Sequence, residues 1–158
     1  MEKAQLSDLD EIMELYYDAM TQEGCTWDAH YPTKKMIADD ILRGELYCMK
    51  DNNEIIGCFV YDVDEKVDNL PCFSRELTPA REVARLVVKR EYQNRGIARE
   101  MLTFAMNELV RMGCKSIHFL VCPTNIRAVR SYDKLGFNYV GDVHMFDTDW
   151  YCYEKALL

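Results

Sequence analysis

Glycine and proline are scarce, at 7 and 4 of 158 residues, and tryptophan is scarcer still at 2. Hydrophobic residues make up 49% and charged residues 29%. Together these exclude a collagen-like repeat, a low-complexity segment and a disordered tail. No apolar run exceeds a few residues, so nothing in the sequence reads as a transmembrane helix. Residues 1–10 carry no basic flank leading into an apolar stretch, so no secretory leader is read there. Cationic residues are also in short supply: 19 Lys and Arg face 27 Asp and Glu, a net charge of −8. That balance disfavours DNA, RNA or an anionic membrane as a partner of the whole surface. Seven cysteines form no C-x-x-C pair, and His30, His118 and His144 have no metal-ligand spacing with them or with one another. No metal is expected. Cys48, Cys58, Cys122 and Cys152 fall in apolar, strand-like runs where a thiol acts as a small hydrophobe. The expected location is the reducing cytoplasm.

What is present is enough apolar sequence for one core, and residues 1–158 read as one domain. Ser7 followed by Asp10 suggests a capped helix start. Leu9, Ile12, Met13, Tyr16 and Met20 then recur at helical spacing to about residue 21. Residues 24–32 form a loop with Trp27, His30 and Tyr31, and a second helix runs from Pro32 or Thr33 to Gly44. Strands over 46–50 and 55–63 flank the turn Asp51-Asn52-Asn53. Residues 64–79 read as a long polar loop. A buried strand over 81–89 leads to a long helix over 94–112 and then to a strand over 116–122. A shorter helix follows over 125–135, and strands over 137–145 and 149–155 close the chain. Alternating strands and helices in the middle imply parallel pairing, and hairpins at both ends imply antiparallel flanks. The expected fold is α/β: a mixed sheet of six to seven strands with about four helices on its two faces.

Charge is unevenly spread. Residues 1–80 hold 7 basic and 18 acidic side chains, whereas residues 81–99 hold 6 basic and 2 acidic ones. This basic island coincides with the passage from an apolar strand (Leu86, Val87, Val88) through Gln93, Asn94 and Arg95 to Gly96, Ile97, Ala98 and Arg99 at a helix start. Exposed N–H groups at a helix N-terminus attract anions. Gly96 and Ala98 lack bulk, and Arg95 and Arg99 add charge, so a diphosphate suits the site. Neither G-x-x-x-x-G-K-[ST] nor G-x-G-x-x-G is present.

The pattern that remains, Gln93-Asn94-Arg95-Gly96-Ile97-Ala98, resembles the pyrophosphate signature of the GCN5-related N-acetyltransferase (GNAT) family, Q/R-x-x-G-x-G/A. Asn125, Ala128, Tyr132, Gly136 and Phe137 resemble that family's later motif, N-x-x-A-x-x-x-Y-x-x-x-G-F. The resemblance implies acetyl-CoA as co-substrate, with residues 93–99 and Asn125 at the cofactor and the main chain of Leu86, Val87 and Val88 along pantetheine. It implies Tyr132 as the acid that protonates the departing thiolate. It also implies Glu82, eleven residues before Gln93, as the base, and Trp27, Asp28 and Tyr31 at the acceptor. The expected reaction is acetyl transfer to a primary amine by direct attack in a ternary complex. A small cationic amine, or a lysine or N-terminal amine, suits the acidic first 80 residues. The family also implies a homodimer.

Each assignment has a plainer reading. Tyr132 could be a core tyrosine, Asn125 a simple helix cap, and Glu82 half of an ion pair with Arg81 or Arg85. Trp27, Asp28 and Tyr31 could be loop packing, and Trp150 and Tyr151 read as core or dimer contacts. The alternative function is a module that binds or senses acyl-CoA without transferring the acyl group.

Overall fold

The computed structural model describes residues 1–157. It has seven strands, hydrogen-bonded in the order β1-β2-β3-β4-β5-β7-β6 and numbered along the chain, and five α-helices. This is the mixed α/β fold expected from the pattern. The chain forms two compact units, Met1–Asp62 with Arg85–Phe104, and Val63–Ala84 with the residues from Ala105 onward. β4 (Ala80–Val88) and α4 (Ile97–Arg111) contribute to both.

In the first unit, β1 (Glu2–Lys3) pairs with β2 (Leu46–Asp51), which pairs antiparallel with β3 (Glu54–Asp62). Asn52 and Asn53, at φ 51° and 66°, make the tight turn between them. Asparagine tolerates this left-handed conformation. The helices α1 (Leu9–Met20) and α2 (Lys34–Leu42) lie on one face. There Ile12, Met13, Tyr16, Ile37 and Ile41 pack with Leu46, Cys48, Cys58 and Val60. On the other face Tyr47, Phe59 and Tyr61 meet Phe104 of α4 and one another. Gly57 makes this approach possible, because a Cβ there would sit 3.0 Å from Val87 O and 3.1 Å from Met101 Cε.

In the second unit, β4 runs parallel to β5 (Ser116–Val121) over Ala80 to Glu82. β5 pairs antiparallel with β7 (Thr148–Ala156), and β7 with β6 (Asn138–Met145). α5 (Ile126–Lys134) covers one face by setting Tyr132 against Phe119 and Phe137. The opposite face is covered by Val67 and Phe73, which pack with Cys152, Leu120 and Val143.

Three expectations change. The segment over 64–79 is not one loop: it holds α3 (Glu65–Asp68), capped by Asp64 on Lys66 N–H at 3.0 Å, and a 3-10 turn at Arg75–Leu77. Val67 and Phe73 are apolar enough to anchor it. The first helix is not capped by Ser7. A 3-10 turn at Leu6–Asp8 precedes it, and Asp8 Oδ2 accepts from Gln5 N–H at 2.9 Å. The long helix opens at Ile97 rather than Asn94, because Asn94 and Gly96 take positive φ (63° and 80°) and cannot continue a right-handed turn.

Candidate active site

The basic island sorts itself by partner. Lys89 pairs with Glu54. Arg90 forks onto Asp18, with Nε and Nη2 at 3.2 and 3.0 Å, and also donates to Thr21 Oγ1 at 2.8 Å. Arg85, with a side chain 3% exposed, donates from Nε to Asp40 Oδ2 at 3.1 Å and from Nη1 to Asp62 Oδ2 at 3.1 Å. The same Nη1 lies 2.9 Å from Tyr31 Oη. Burial opposes the guanidinium charge, but Tyr31, Asp62 and Asp40 outweigh it and hold the group above its ordinary value. Arg95 and Arg99 are exposed and make no ion pair among the described residues. Arg95 rests on the Tyr92 ring, 5.4 Å from its centroid.

Between those two arginines the backbone turns into α4. Glu100 N–H donates to Gly96 O at 3.0 Å as the first helical bond. The N–H groups of Ile97, Ala98 and Arg99 therefore have no acceptor within the helix. A Cβ on Gly96 would meet nothing within 4 Å, so glycine is required there by its φ of 80°, not by crowding. The space over the turn is open. Gln93 plays a local part: its Nε2 donates to Val88 O at 3.1 Å and to Gln22 Oε1 at 3.0 Å, tying the turn to the end of β4. The strand has a left-handed residue of its own, Arg85 at φ 50°, whose carbonyl accepts from Tyr16 Oη at 2.7 Å. Leu86, Val87 and Val88 follow this kink.

The candidate acceptor residues divide. Trp27 packs edge-on to Tyr16, with ring centroids 5.3 Å apart, and joins the core. Asp28 Oδ1 accepts from His30 N–H at 2.7 Å, and the Asp28 and Tyr31 backbones bond to each other at 3.0 and 3.1 Å. Tyr31 is 38% exposed and is the one of the three held by Arg85.

In the second unit, Asn125 Oδ1 caps α5 on Ala128 N–H at 3.3 Å, and its side chain is exposed. Tyr132 is clamped by Phe119 at 4.0 Å, Phe137 at 5.9 Å and Tyr153 at 6.1 Å. Burial pushes its phenol up to about 12. Glu82 is buried on β4 in register with His118 of β5.

A cleft of about 400 Å³ in this unit, lined by Pro123, Asp142, Asp149, Trp150 and Tyr151, was not anticipated. Trp150 and Tyr151 face it half-buried. A second cleft of about 400 Å³, in the first unit, is lined by Glu11, Glu14, Asp18, Lys89 and Glu91. Residues 93–99 line neither. No helix among the described residues is long and apolar enough to cross a membrane, and no group of three or more His, Cys, Asp or Glu among them could hold a metal ion.

A sequence model of the acetyltransferase (GNAT) family matches residues 9–137. A probable spermine N(1)-acetyltransferase of Bacillus subtilis subsp. natto (strain BEST195) is 30% identical over 60 residues, spanning 37% of this chain and 40% of that protein. The PaiA N-acetyltransferase of Thermoplasma acidophilum, solved with coenzyme A, superposes with a TM-score of 0.76 at 16% identity, over 98% of this chain and 96% of its own. A GNAT-family acetyltransferase of Streptococcus agalactiae 2603 superposes at 0.78 with 20% identity, over 97% and 92%.

Proposed function

Since the chain belongs to the acetyltransferase (GNAT) family, we propose that it is an acetyl-CoA-dependent N-acetyltransferase acting on a primary amine by direct attack in a ternary complex. The observation that carries this reading is the turn into α4: unpaired amides beyond Gly96, flanked by the uncommitted cations Arg95 and Arg99. The amides of Ile97, Ala98 and Arg99 and the two guanidinium groups suit a pyrophosphate, because the charges and the helix dipole favour the same anion. Gln93 and Asn94 hold the shape of the turn. The main chain of Leu86, Val87 and Val88 and the Asn125 side chain are assigned to the pantetheine arm. The co-substrate supplies an acetyl group activated as a thioester.

Glu82 is assigned as the base that takes a proton from the acceptor ammonium. Tyr132 is assigned to the leaving sulfur. With its phenol at about 12, it stays protonated throughout the working range. It therefore holds the proton that it is assigned to give to the departing thiolate, in a ring clamp that fixes its direction. Trp27, Asp28 and Tyr31 are assigned to the acceptor side. The acidic first 80 residues and the similarity to a probable spermine acetyltransferase support a cationic amine. Within this reading residues 1–158 are one domain, working in the cytoplasm, where seven free thiols stay reduced, and as a homodimer.

The test is thermal unfolding with acetyl-CoA, with ATP and a nicotinamide cofactor as controls. At a hundred times its dissociation constant the ligand adds about 2.7 kcal/mol, which raises the midpoint by about 5–11 °C at this size. No rise at saturation removes the reading. A rise without turnover of any amine, unchanged in Tyr132→Phe, favours the non-catalytic acyl-CoA-binding module.

A further inference from the structure

The second unit sets Glu82 in a line with ionisable side chains that have had no role so far. Glu82 on β4 is paired in register with His118 on β5, and His118 with Glu154 on β7. Directly paired residues point to the same face of a sheet, so a carboxyl group flanks the imidazole on each side. All three residues are buried. Over them, α3 supplies Asp68, whose Oδ1 lies 2.7 Å from His118 Nε2. The segment after α3 lays the Phe73 ring on the imidazole, with centroids 4.4 Å apart. Glu154 is fixed by Ser74 N–H, which donates to its Oε2 at 2.9 Å.

A carboxylate only accepts hydrogen bonds. Asp68 therefore places the imidazole hydrogen on Nε2 and leaves Nδ1 as a bare lone pair. His118 is 2% exposed, and Nδ1 has no hydrogen-bond partner among the described residues. A buried polar atom left without a partner is costly, so this one calls for a donor. The ionisable groups facing the ring are Glu82 from β4, Glu154 from β7 and Asp68 from α3. Burial pushes the imidazole below its ordinary value, against the upward pull of Asp68 and Glu154, so the ring is neutral and its lone pair available near pH 7.

We propose that His118, oriented by Asp68, is a positioning residue for Glu82: its Nδ1 accepts a hydrogen bond from the protonated form of that carboxyl group and so makes Glu82 a stronger base. The proton balance is simple. The acceptor ammonium loses one proton and becomes an amine, and the Glu82 carboxylate gains it and becomes a carboxylic acid. That O–H donates to His118 Nδ1, and the proton leaves to water when product departs. A hydrogen bond to the neutral form of an acid disfavours its charged form, which is the direction a base requires. The proposal rests on Glu82 being the base, and the experiment separates the two.

The readout is the ionisation midpoint of Glu82, followed by NMR of 13C-labelled glutamate carboxyl groups and assigned with Glu82→Gln. In His118→Gln, which keeps a donor towards Asp68 and loses the acceptor at Nδ1, the midpoint falls by about one pH unit. In His118→Asn, which restores an acceptor at the Nδ1 position, it stays near the wild-type value. Asp68→Asn, at a side chain 33% exposed, lets the amide donate to Nε2 and turns Nδ1 into a donor, so the midpoint falls again. That variant carries the test if His118→Gln does not fold. A Glu82 midpoint unmoved in His118→Gln and in Asp68→Asn overturns the proposal, as does an equal fall in His118→Asn. Turnover of spermine, used as the probe amine, tests the underlying reading separately. Wild-type turnover in Glu82→Gln removes Glu82 as the base, whatever the midpoints do.

Discussion

The two compact units bury charge in opposite ways. In the first, the buried guanidinium of Arg85 meets Asp40, Asp62 and Tyr31, and Asp40 also pairs with Arg43. Every contact is a hydrogen bond between groups of matched polarity, and the arrangement joins α2, β3, β4 and the loop at Tyr31. In the second, His118 has a carboxylate on one nitrogen and nothing on the other. A saturated network gains most by holding a shape, here the left-handed kink at Arg85. An unsaturated one keeps a lone pair available for a proton donor. Burial alone does not separate the two arrangements; whether each polar atom has a partner does.

The contrast can be broken at the first network with the largest effect. Arg85→Met leaves Asp62 without its guanidinium and Asp40 with Arg43 alone, and should cost about 3–5 kcal/mol, a fall in melting temperature of about 6–20 °C. Adding Asp40→Asn should recover part of it; a variant as stable as wild type would show the network to be ornamental. Tyr132→Phe keeps the ring clamp and removes only the hydroxyl. Turnover should fall by about a hundredfold with the acetyl-CoA thermal shift intact, and steady-state kinetics beside melting curves would check both. Gly96→Ala meets no atom but places a side chain at positive φ. It should lose about 1–2 kcal/mol by denaturant unfolding, and weaken acetyl-CoA binding in proportion if the turn is the anion cradle.

The smallest effect is a slope. Burial holds His118 below its ordinary value in the folded chain, so as pH falls through about 6.5 the unfolded chain takes a proton that the folded one refuses. Stability should then decline with falling pH by at most about 1.4 kcal/mol per pH unit from this group. His118→Gln should flatten that decline, and melting curves between pH 7 and pH 5 would show it.

Much of the fold was legible because periodicity reports which face of an element is buried. The apolar spacing from Ile12 to Tyr16 marked α1, and Asn52 and Asn53 marked their turn. The strand 46–50 differed from β2 by one residue. The segment after β3 was not legible, because Val67, Leu70, Cys72, Phe73 and Leu77 are scattered among polar residues and two prolines and keep no single period. The turn at residues 93–96 was legible as a candidate site because a glycine between arginines at a strand-to-helix junction is a local feature. Which arginines were uncommitted was not legible, since the partners of Lys89 and Arg90, Glu54 and Asp18, lie 35 and 72 positions away. Nor was Arg85 with Asp40, 45 positions apart. His118 read as one apolar-strand histidine, and nothing local to it indicated Asp68.

By itself the sequence determined the element types, their order, the mixed pairing and the place of the basic turn, because each depends on propensity and spacing within a few residues. Only the tertiary structure decided which charges cancel and which remain. It closed Arg85 into a saturated cluster, left Arg95 and Arg99 open to solvent, and set His118 between two carboxyl groups with one nitrogen unused. The physical reason is range. Backbone preference is settled by near neighbours in the chain, whereas hydrogen bonds and ion pairs are settled by neighbours in space.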